Sequence, residues 1–164
     1  MTFESVAVKY GEITAGLIGS GRSITTMESC TSGLIASLIT DTEGASAIFR
    51  GAFVTYSNEE KIRRGVPEEI IRKYGVYSKE TAREMAAKSR EAFRADIGVG
   101  ITGCFGNADP ENEDGIPGEI YYAVITGDTE VCRHESLPAQ PSRFAYKLYA
   151  ADKVADLLLA VMEA

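Results

Sequence analysis

Two segments of different periodicity meet at the stretch Thr26-Met27-Glu28-Ser29-Cys30-Thr31-Ser32-Gly33. Residues 23–27 are β-branched and half apolar, which is typical of a strand. Beyond the stretch, apolar residues recur at helical spacing, namely Leu34, Ile35, Leu38 and Ile39. The pattern predicts a strand that turns into a helix over residues 32–40. Such a turn presents a hydroxyl beside the unpaired amides of the first helical turn.

Two interpretations of this turn stay open from the stretch alone. Ser29 lies where a nucleophile or an anion site is expected, but Ser and Thr are also common helix caps that need no chemistry. Cys30 is a second candidate nucleophile, because a thiol beside a helix N-terminus can have a lowered pKa. Free cysteine is more often buried, so we expect Cys30 to be a small apolar residue packed under the turn.

The composition is that of one soluble, globular domain. The 164 residues are 45% hydrophobic and 25% charged, which is enough to bury a sizeable core, and we expect residues 1–164 to form a single domain. A net charge of -7 argues against a nucleic-acid partner. The sequence lacks an apolar run near the roughly 20 residues of a membrane span, and the N-terminus lacks a secretory pattern.

The cysteines and the histidine narrow the chemistry further. Cys30, Cys104 and Cys132 are far apart and odd in number, so a disulfide framework is not expected and a reducing cytoplasm is the predicted location. With His134 as the single histidine, a zinc site is not expected either.

The remaining pattern alternates helices with strands. Strands are predicted at residues 49–56, 96–102, 119–126 and 131–137, the last two joined by a turn at Gly127 and Asp128. Helices are predicted at residues 3–18, 58–64, 67–74, 78–93 and 142–162, and residues 103–118 form a loop rich in glycine and carboxylates. This order predicts a three-layer α/β/α sandwich around a mixed, mainly parallel sheet of about five strands.

Polar residues follow three of the predicted strands. Ligands of open α/β sheets gather at the carboxyl ends of strands, where this chain has Ser29, Tyr56 and Thr102. The short helix after Tyr56 would bring Lys61 over the same crevice. A hydroxyl, a phenol and an ammonium suit amide hydrolysis, because a serine is inert until a base takes its proton. Each residue also has an ordinary interpretation. Tyr56 would be an aromatic at the edge of the core, Thr102 a hydrogen bonder at a strand end, and Lys61 a solvated helix residue.

Several motifs together resemble the C-terminal domain family of the competence/damage-inducible protein CinA. They are Glu-Ser-Cys-Thr-Ser-Gly at 28–33, Phe-Arg-Gly at 49–51, Tyr-Ser-Asn-Glu-Glu-Lys at 56–61, Gly-Val at 65–66 and Ile-Thr-Gly at 101–103. The resemblance extends from the first helix to the last.

The resemblance implies an activity and a set of site residues. Stand-alone members, called PncC, are nicotinamide-nucleotide amidases of pyridine nucleotide salvage, which convert nicotinamide mononucleotide to nicotinate mononucleotide and ammonia. Carried over by motif, Ser29 is the nucleophile, and Tyr56 and Lys61 are its activating partners, with the choice of base left open. Substrate contacts are expected from Thr102 and Gly103, from Arg143 and from the turn residues Cys30, Thr31, Ser32 and Gly33, whose amides would stabilise the oxyanion. The resemblance implies a homodimer. It implies neither a metal nor an organic cofactor.

Two departures from the family pattern bear on the substrate. Ser32 stands where the family has the first of two glycines, and the loop after Gly103 lacks the family's proline and lysine and carries Asp109, Glu111, Glu113 and Asp114. Carboxylates in this loop would repel a phosphate, for which Arg143 and Arg50 are the candidate ligands. A regulatory nucleotide-binding domain without turnover, or an amidase for another small amide, are the alternatives.

Overall fold

Helices and strands alternate along the computed structural model, which describes residues 1–106, 109–127 and 129–163. The strands are β1 Ile24–Glu28, β2 Phe49–Val54, β3 Ile97–Gly103, β4 Glu119–Thr126 and β5 Thr129–Ser136. The helices are α1 Phe3–Ser20, α2 Leu34–Thr40, α3 Asn58–Arg63, α4 Glu68–Tyr74, α5 Lys79–Phe93 and α6 Arg143–Glu163, with a 3₁₀ turn at Ala45–Ala47. The predicted element order is confirmed.

The element bounds differ from the predictions in a few places. The second helix begins at Leu34 because Ser32 and Gly33 have φ angles of 47° and 94°, which a right-handed helix does not admit. β2 ends at Val54, two residues early, and the 3₁₀ turn was not predicted. The predicted hairpin turn includes Asp128, and the loop at 103–118 includes residues 107 and 108, all three outside the described residues.

The sheet has the strand order β2-β1-β3-β4-β5. β1 pairs in parallel with β2 and β3, whereas β4 runs antiparallel to both of its neighbours. Four of the five strands therefore point the same way, and the predicted mixed, mainly parallel sheet is confirmed. The register places Glu28 between Val54 and Ile101, so the carboxyl ends of β1, β2 and β3 share one edge.

Helices cover both faces of this sheet and complete the three layers. α1, α2 and α6 pack on one face, where the buried Tyr10 hydroxyl donates to the Ala151 carbonyl at 2.8 Å. α5 lies on the other face against glycines of β3: a Cβ at Gly100 would stand 2.1 Å from the Ala82 carbonyl oxygen, so only glycine admits this close packing. In the described part of the chain, the helices are all too short or too polar to cross a membrane.

Candidate active site

Ser29 and Lys61 meet at the shared edge of the sheet. Ser29 directly follows β1 and is 7% exposed, and Lys61 is 1% exposed. The Lys61 Nζ lies 3.1 Å from Ser29 Oγ and also donates to the Thr55 carbonyl at 2.8 Å. The structure thus places an amine within hydrogen-bond reach of a serine hydroxyl, which is the arrangement of a nucleophile with its base.

Local backbone contacts deliver Lys61 to this position. The Thr55 amide donates to the Glu28 carbonyl at 2.9 Å, which extends the β1–β2 pairing beyond the strand. Ser57 then caps α3 by accepting from the Glu60 amide at 3.1 Å. Lys61 comes four residues after this cap, and its side chain points back towards the N-terminus of α3, to the Thr55 carbonyl at the sheet edge.

Burial sets the protonation state of this pair. Loss of hydration lowers the pKa of Lys61 to about 8, and the Cys30 sulfur and the carboxylates of Glu111 and Asp109 counteract only part of this effect. At pH 7 roughly a tenth of Lys61 is therefore neutral. A neutral amine at this distance is able to take the Ser29 proton.

Cys30 differs from Ser29 in its surroundings. It is 4% exposed and packs in the main core, although it also touches the cavity. Burial, helped by the nearby Glu28 carboxylate, raises the pKa of the Cys30 thiol to about 12. The thiol therefore stays protonated near neutral pH and is a poor nucleophile.

Tyr56 lies at the mouth of the site rather than beside the serine. It is 61% exposed, and its hydroxyl accepts a hydrogen bond from the exposed Arg143 guanidinium at 3.0 Å. Of the two candidate bases, the structure brings Lys61 to Ser29 and pairs Tyr56 with Arg143. Tyr56 and Arg143 are the outer rim of the site.

A cavity of about 470 Å³ connects these groups. Ser29, Cys30 and Lys61 lie on its wall together with Thr102 and Gly103. The buried Thr102 hydroxyl has no hydrogen-bond partner among the described residues. An orphaned hydroxyl on a cavity wall suits a polar group of a bound ligand.

The turn after Ser29 has only part of its amides free. The amides of Ser29, Ser32 and Gly33 donate to the Ile101 carbonyl, the Ser29 carbonyl and the Glu28 carboxylate, at 3.1, 3.0 and 3.0 Å. Within the described ranges, the amides of Cys30 and Thr31 donate to no backbone carbonyl and lie close to the Cys30 sulfur. Of these two residues, Cys30 lies on the described cavity wall and Thr31 does not, so the Cys30 amide is the oxyanion donor that the geometry favours.

The side chains of the turn also point away from the cavity. The Thr31 hydroxyl donates to Glu28 at 2.6 Å, and the Ser32 hydroxyl accepts from Lys147. Thr31, Ser32 and Gly33 are not part of the described cavity wall. The structure therefore does not bring these three expected substrate contacts to the cavity. Ser32 instead occupies a left-handed conformation that costs a non-glycine residue about 1 kcal/mol.

Glu28 was assigned no role from the sequence. It is completely buried, and its side chain accepts hydrogen bonds from residues on both sides of the turn. The available signal was a carboxylate directly before Ser29, followed by a helix whose N-cap, Gly33, offers no side chain.

The acidic loop closes the opposite side of the cavity. Asp109 accepts from Tyr77 and Asn112, and Glu111 accepts from the Asn58 amide at 3.1 Å. These contacts tie the loop to the first turn of α3, and both carboxylates lie on the cavity wall. Among the residues that the structure describes, no three His, Cys, Asp or Glu side chains are grouped as metal ligands.

Comparison with known proteins agrees with the motifs. Residues 8–162 match the CinA C-terminal domain. This chain belongs to that family. The CinA-like protein of Desulfovibrio desulfuricans is 46% identical over 104 residues, which are 63% of this chain and 24% of that protein. The chain spans about a quarter of the length of such longer relatives.

A relative of similar size and a solved structure complete the comparison. Nicotinamide-nucleotide amidohydrolase PncC of Escherichia coli is 40% identical over 120 residues, 73% of this CinA-family chain and 72% of that enzyme. The crystal structure of the competence/damage inducible protein CihA from Agrobacterium tumefaciens has a TM-score of 0.88 at 26% identity and covers 97% of this chain and 96% of its own. The predicted family and fold are confirmed.

Proposed function

We propose that this chain is an amidase that hydrolyses nicotinamide mononucleotide to nicotinate mononucleotide and ammonia in pyridine nucleotide salvage. The observation that carries the proposal is the Lys61 amine, buried and 3.1 Å from the Ser29 hydroxyl on the wall of a cavity. The name of the E. coli relative supports the substrate.

The first half-reaction forms an acyl-enzyme. Neutral Lys61 takes the Ser29 proton while Oγ attacks the carboxamide carbon. The amide of Cys30, which lies on the cavity wall, donates to the oxygen that becomes negative. The Lys61 ammonium then returns its proton to the carboxamide nitrogen, the C–N bond breaks, and ammonia leaves the ester on Ser29.

The second half-reaction uses the same groups. Neutral Lys61 takes a proton from water, and the hydroxide attacks the ester carbon. Collapse of the tetrahedral intermediate breaks the ester bond, and the Lys61 ammonium protonates Ser29 Oγ. The product leaves as the carboxylic acid, its proton passes through water to the released ammonia, and the enzyme is restored. Neither half needs a metal or an organic cofactor.

The cavity lining carries charges of both signs, which suits the two charges of this substrate. Arg143 at the mouth is able to bind the phosphate through parallel hydrogen bonds, with Tyr56 orienting its guanidinium. Asp109 and Glu111 oppose a phosphate but attract a cation. The substrate's positively charged pyridinium ring therefore belongs beside the loop, and its phosphate beside Arg143. Thr102 and Gly103 contribute the wall between them.

The acidic loop favours one competing function, a regulatory domain that binds a nucleotide without turnover. An ammonia-release assay with nicotinamide mononucleotide, nicotinamide and simple amides separates the possibilities. Ammonia from the mononucleotide alone supports the proposal. Saturable binding of the mononucleotide without ammonia supports the regulatory function, and ammonia only from another amide supports a different amidase.

We also propose that residues 1–164 act as a single domain, as a cytoplasmic homodimer with neither a nucleic-acid nor a membrane partner. The free thiols of Cys30, Cys104 and Cys132 and the net charge of -7 support this setting. Light scattering of the purified protein tests the dimer: a monomeric mass at micromolar concentration contradicts it.

A further inference from the structure

Glu28 forms an unusually complete set of hydrogen bonds for a buried carboxylate. Its two oxygens accept from the amides of Gly33, Ile35 and Ala36 at 3.0, 3.1 and 2.8 Å. They also accept from the hydroxyls of Thr26 and Thr31 at 3.0 and 2.6 Å. The side chain is completely buried and does not reach the cavity wall, so any effect on the reaction has to act through other residues.

The hydrogen bonds of Glu28 lie on both sides of Ser32 in the turn. Thr31 and Gly33 flank Ser32, and both donate to the same oxygen, Oε2 of Glu28. Ser32 itself has a φ of 47°, a conformation that a serine keeps only where its surroundings enforce it. The Glu28 side chain thus clamps the turn on both sides of its strained residue.

The clamp also bears on both reactive features of the turn. Glu28 and Ser29 are adjacent, so a shift of the clamp moves Ser29 Oγ relative to the Lys61 Nζ, now 3.1 Å away. The amide of Cys30 lies between Glu28 and the contacts that Glu28 makes at Thr31 and Gly33. The direction of this amide therefore depends on the same hydrogen bonds.

We propose that Glu28 is a positioning residue of the amidase, which fixes the Ser29 hydroxyl against Lys61 and directs the amide of Cys30. The inference rests on the proposed function. Misplacement of reacting groups by about 1 Å costs roughly a hundredfold in rate, whereas binding depends on other parts of the cavity. The effect of losing the clamp is therefore expected in kcat rather than in KM.

The test compares Glu28→Gln with the matched control Thr14→Val. Glutamine keeps the shape but replaces one acceptor oxygen with an NH₂ that faces donors. Thr14 is buried and its hydroxyl donates to the Ile39 carbonyl at 3.1 Å, so Thr14→Val removes a buried hydrogen bond at the other end of α2. Thermal unfolding shows how far each variant is destabilised. Ammonia release from nicotinamide mononucleotide gives kcat and KM at a temperature where both variants are folded.

We expect Glu28→Gln to lower kcat about 10- to 100-fold with KM within about twofold, and Thr14→Val to leave kcat within about twofold. Unchanged kcat in Glu28→Gln, or the same loss in both variants, overturns the inference alone. If Glu28→Gln does not fold, Thr31→Val is measured in its place. We expect it to lower kcat about 3- to 10-fold with KM again within about twofold. A parent protein that releases no ammonia overturns the proposed function, and this inference with it.

Discussion

The two sides of the cavity are built differently. On the side of β1 and α3, Ser29 and Lys61 are buried, and the surrounding backbone bonds hold them in place. On the side of the loop and α6, Glu111 and Arg143 are exposed. The family motifs are retained on the first side apart from Ser32, and the larger departure from the family pattern falls in the loop on the second side. We therefore expect reaction type and substrate choice to depend on separable parts of the molecule.

The largest expected effect is on the buried side. Ser29→Ala removes the proposed nucleophile and should lower kcat for ammonia release at least about a thousandfold, the scale seen for loss of a covalent catalyst. Binding of the mononucleotide, followed by calorimetry, should survive because the rest of the cavity is unchanged. Turnover within about threefold of the parent would make Ser29 a helix cap only.

Lys61→Met tests the same side through activity and stability together. Loss of the base should lower kcat about a hundredfold or more. At pH 7 the variant should be more stable by about 1–3 kcal/mol, because Met does not bury a charge. The pKa of Lys61 is about 8 in the folded protein and about 10.4 in an unfolded chain. Below pH 8, Lys61 is therefore protonated in both the folded and the unfolded protein, and the folded state is destabilised by the full cost of burying its charge.

Between those two values, the unfolded parent binds more protons than the folded one. Parent stability should therefore rise with pH across this window, by about 3 kcal/mol in all, and the advantage of Lys61→Met should fade. Denaturant unfolding of both proteins at pH 7 and pH 10 measures this. An advantage that is the same at both values would mean that Lys61 is not a desolvated cation.

The exposed side should show a smaller effect that depends on the ligand. Arg143→Ala is expected to weaken binding of the mononucleotide by roughly 1–3 kcal/mol, the range for charge-assisted hydrogen bonds. Nicotinamide riboside, which lacks the phosphate, is the matched ligand and should lose far less. Equal losses for both ligands would show that Arg143 does not bind the phosphate, and Arg50 would be tested next.

The smallest effect is expected at Cys30. Because burial raises the pKa of this thiol to about 12, Cys30→Ala should leave kcat within about threefold, the change being one small buried side chain. Iodoacetamide should inactivate the parent slowly. Rapid inactivation that the substrate blocks would assign a reactive thiol to the buried side.

Much of the fold and part of the site were predictable from the sequence. Periodicity gave the elements, and the spacing from Tyr56 to Lys61 indicated an amine near Ser29. Side-chain direction in the turn was not predictable, because it depends on the left-handed conformation of Ser32, which a residue pattern does not reveal. For the same reason Thr31 was expected at the substrate, although it contacts Glu28.

The pH dependence of kcat/KM for ammonia release tests most directly whether buried Lys61 is the base for Ser29. The base works only when neutral, so the rate should rise with pH and level off above an apparent pKa near 8, the value that burial gives Lys61. The variants Ser29→Ala and Lys61→Met are the controls, and their residual rates should not show this rise with pH. A rate that is flat from pH 6 to pH 9, or that rises only near the ordinary pKa of tyrosine at about 10, would contradict the account.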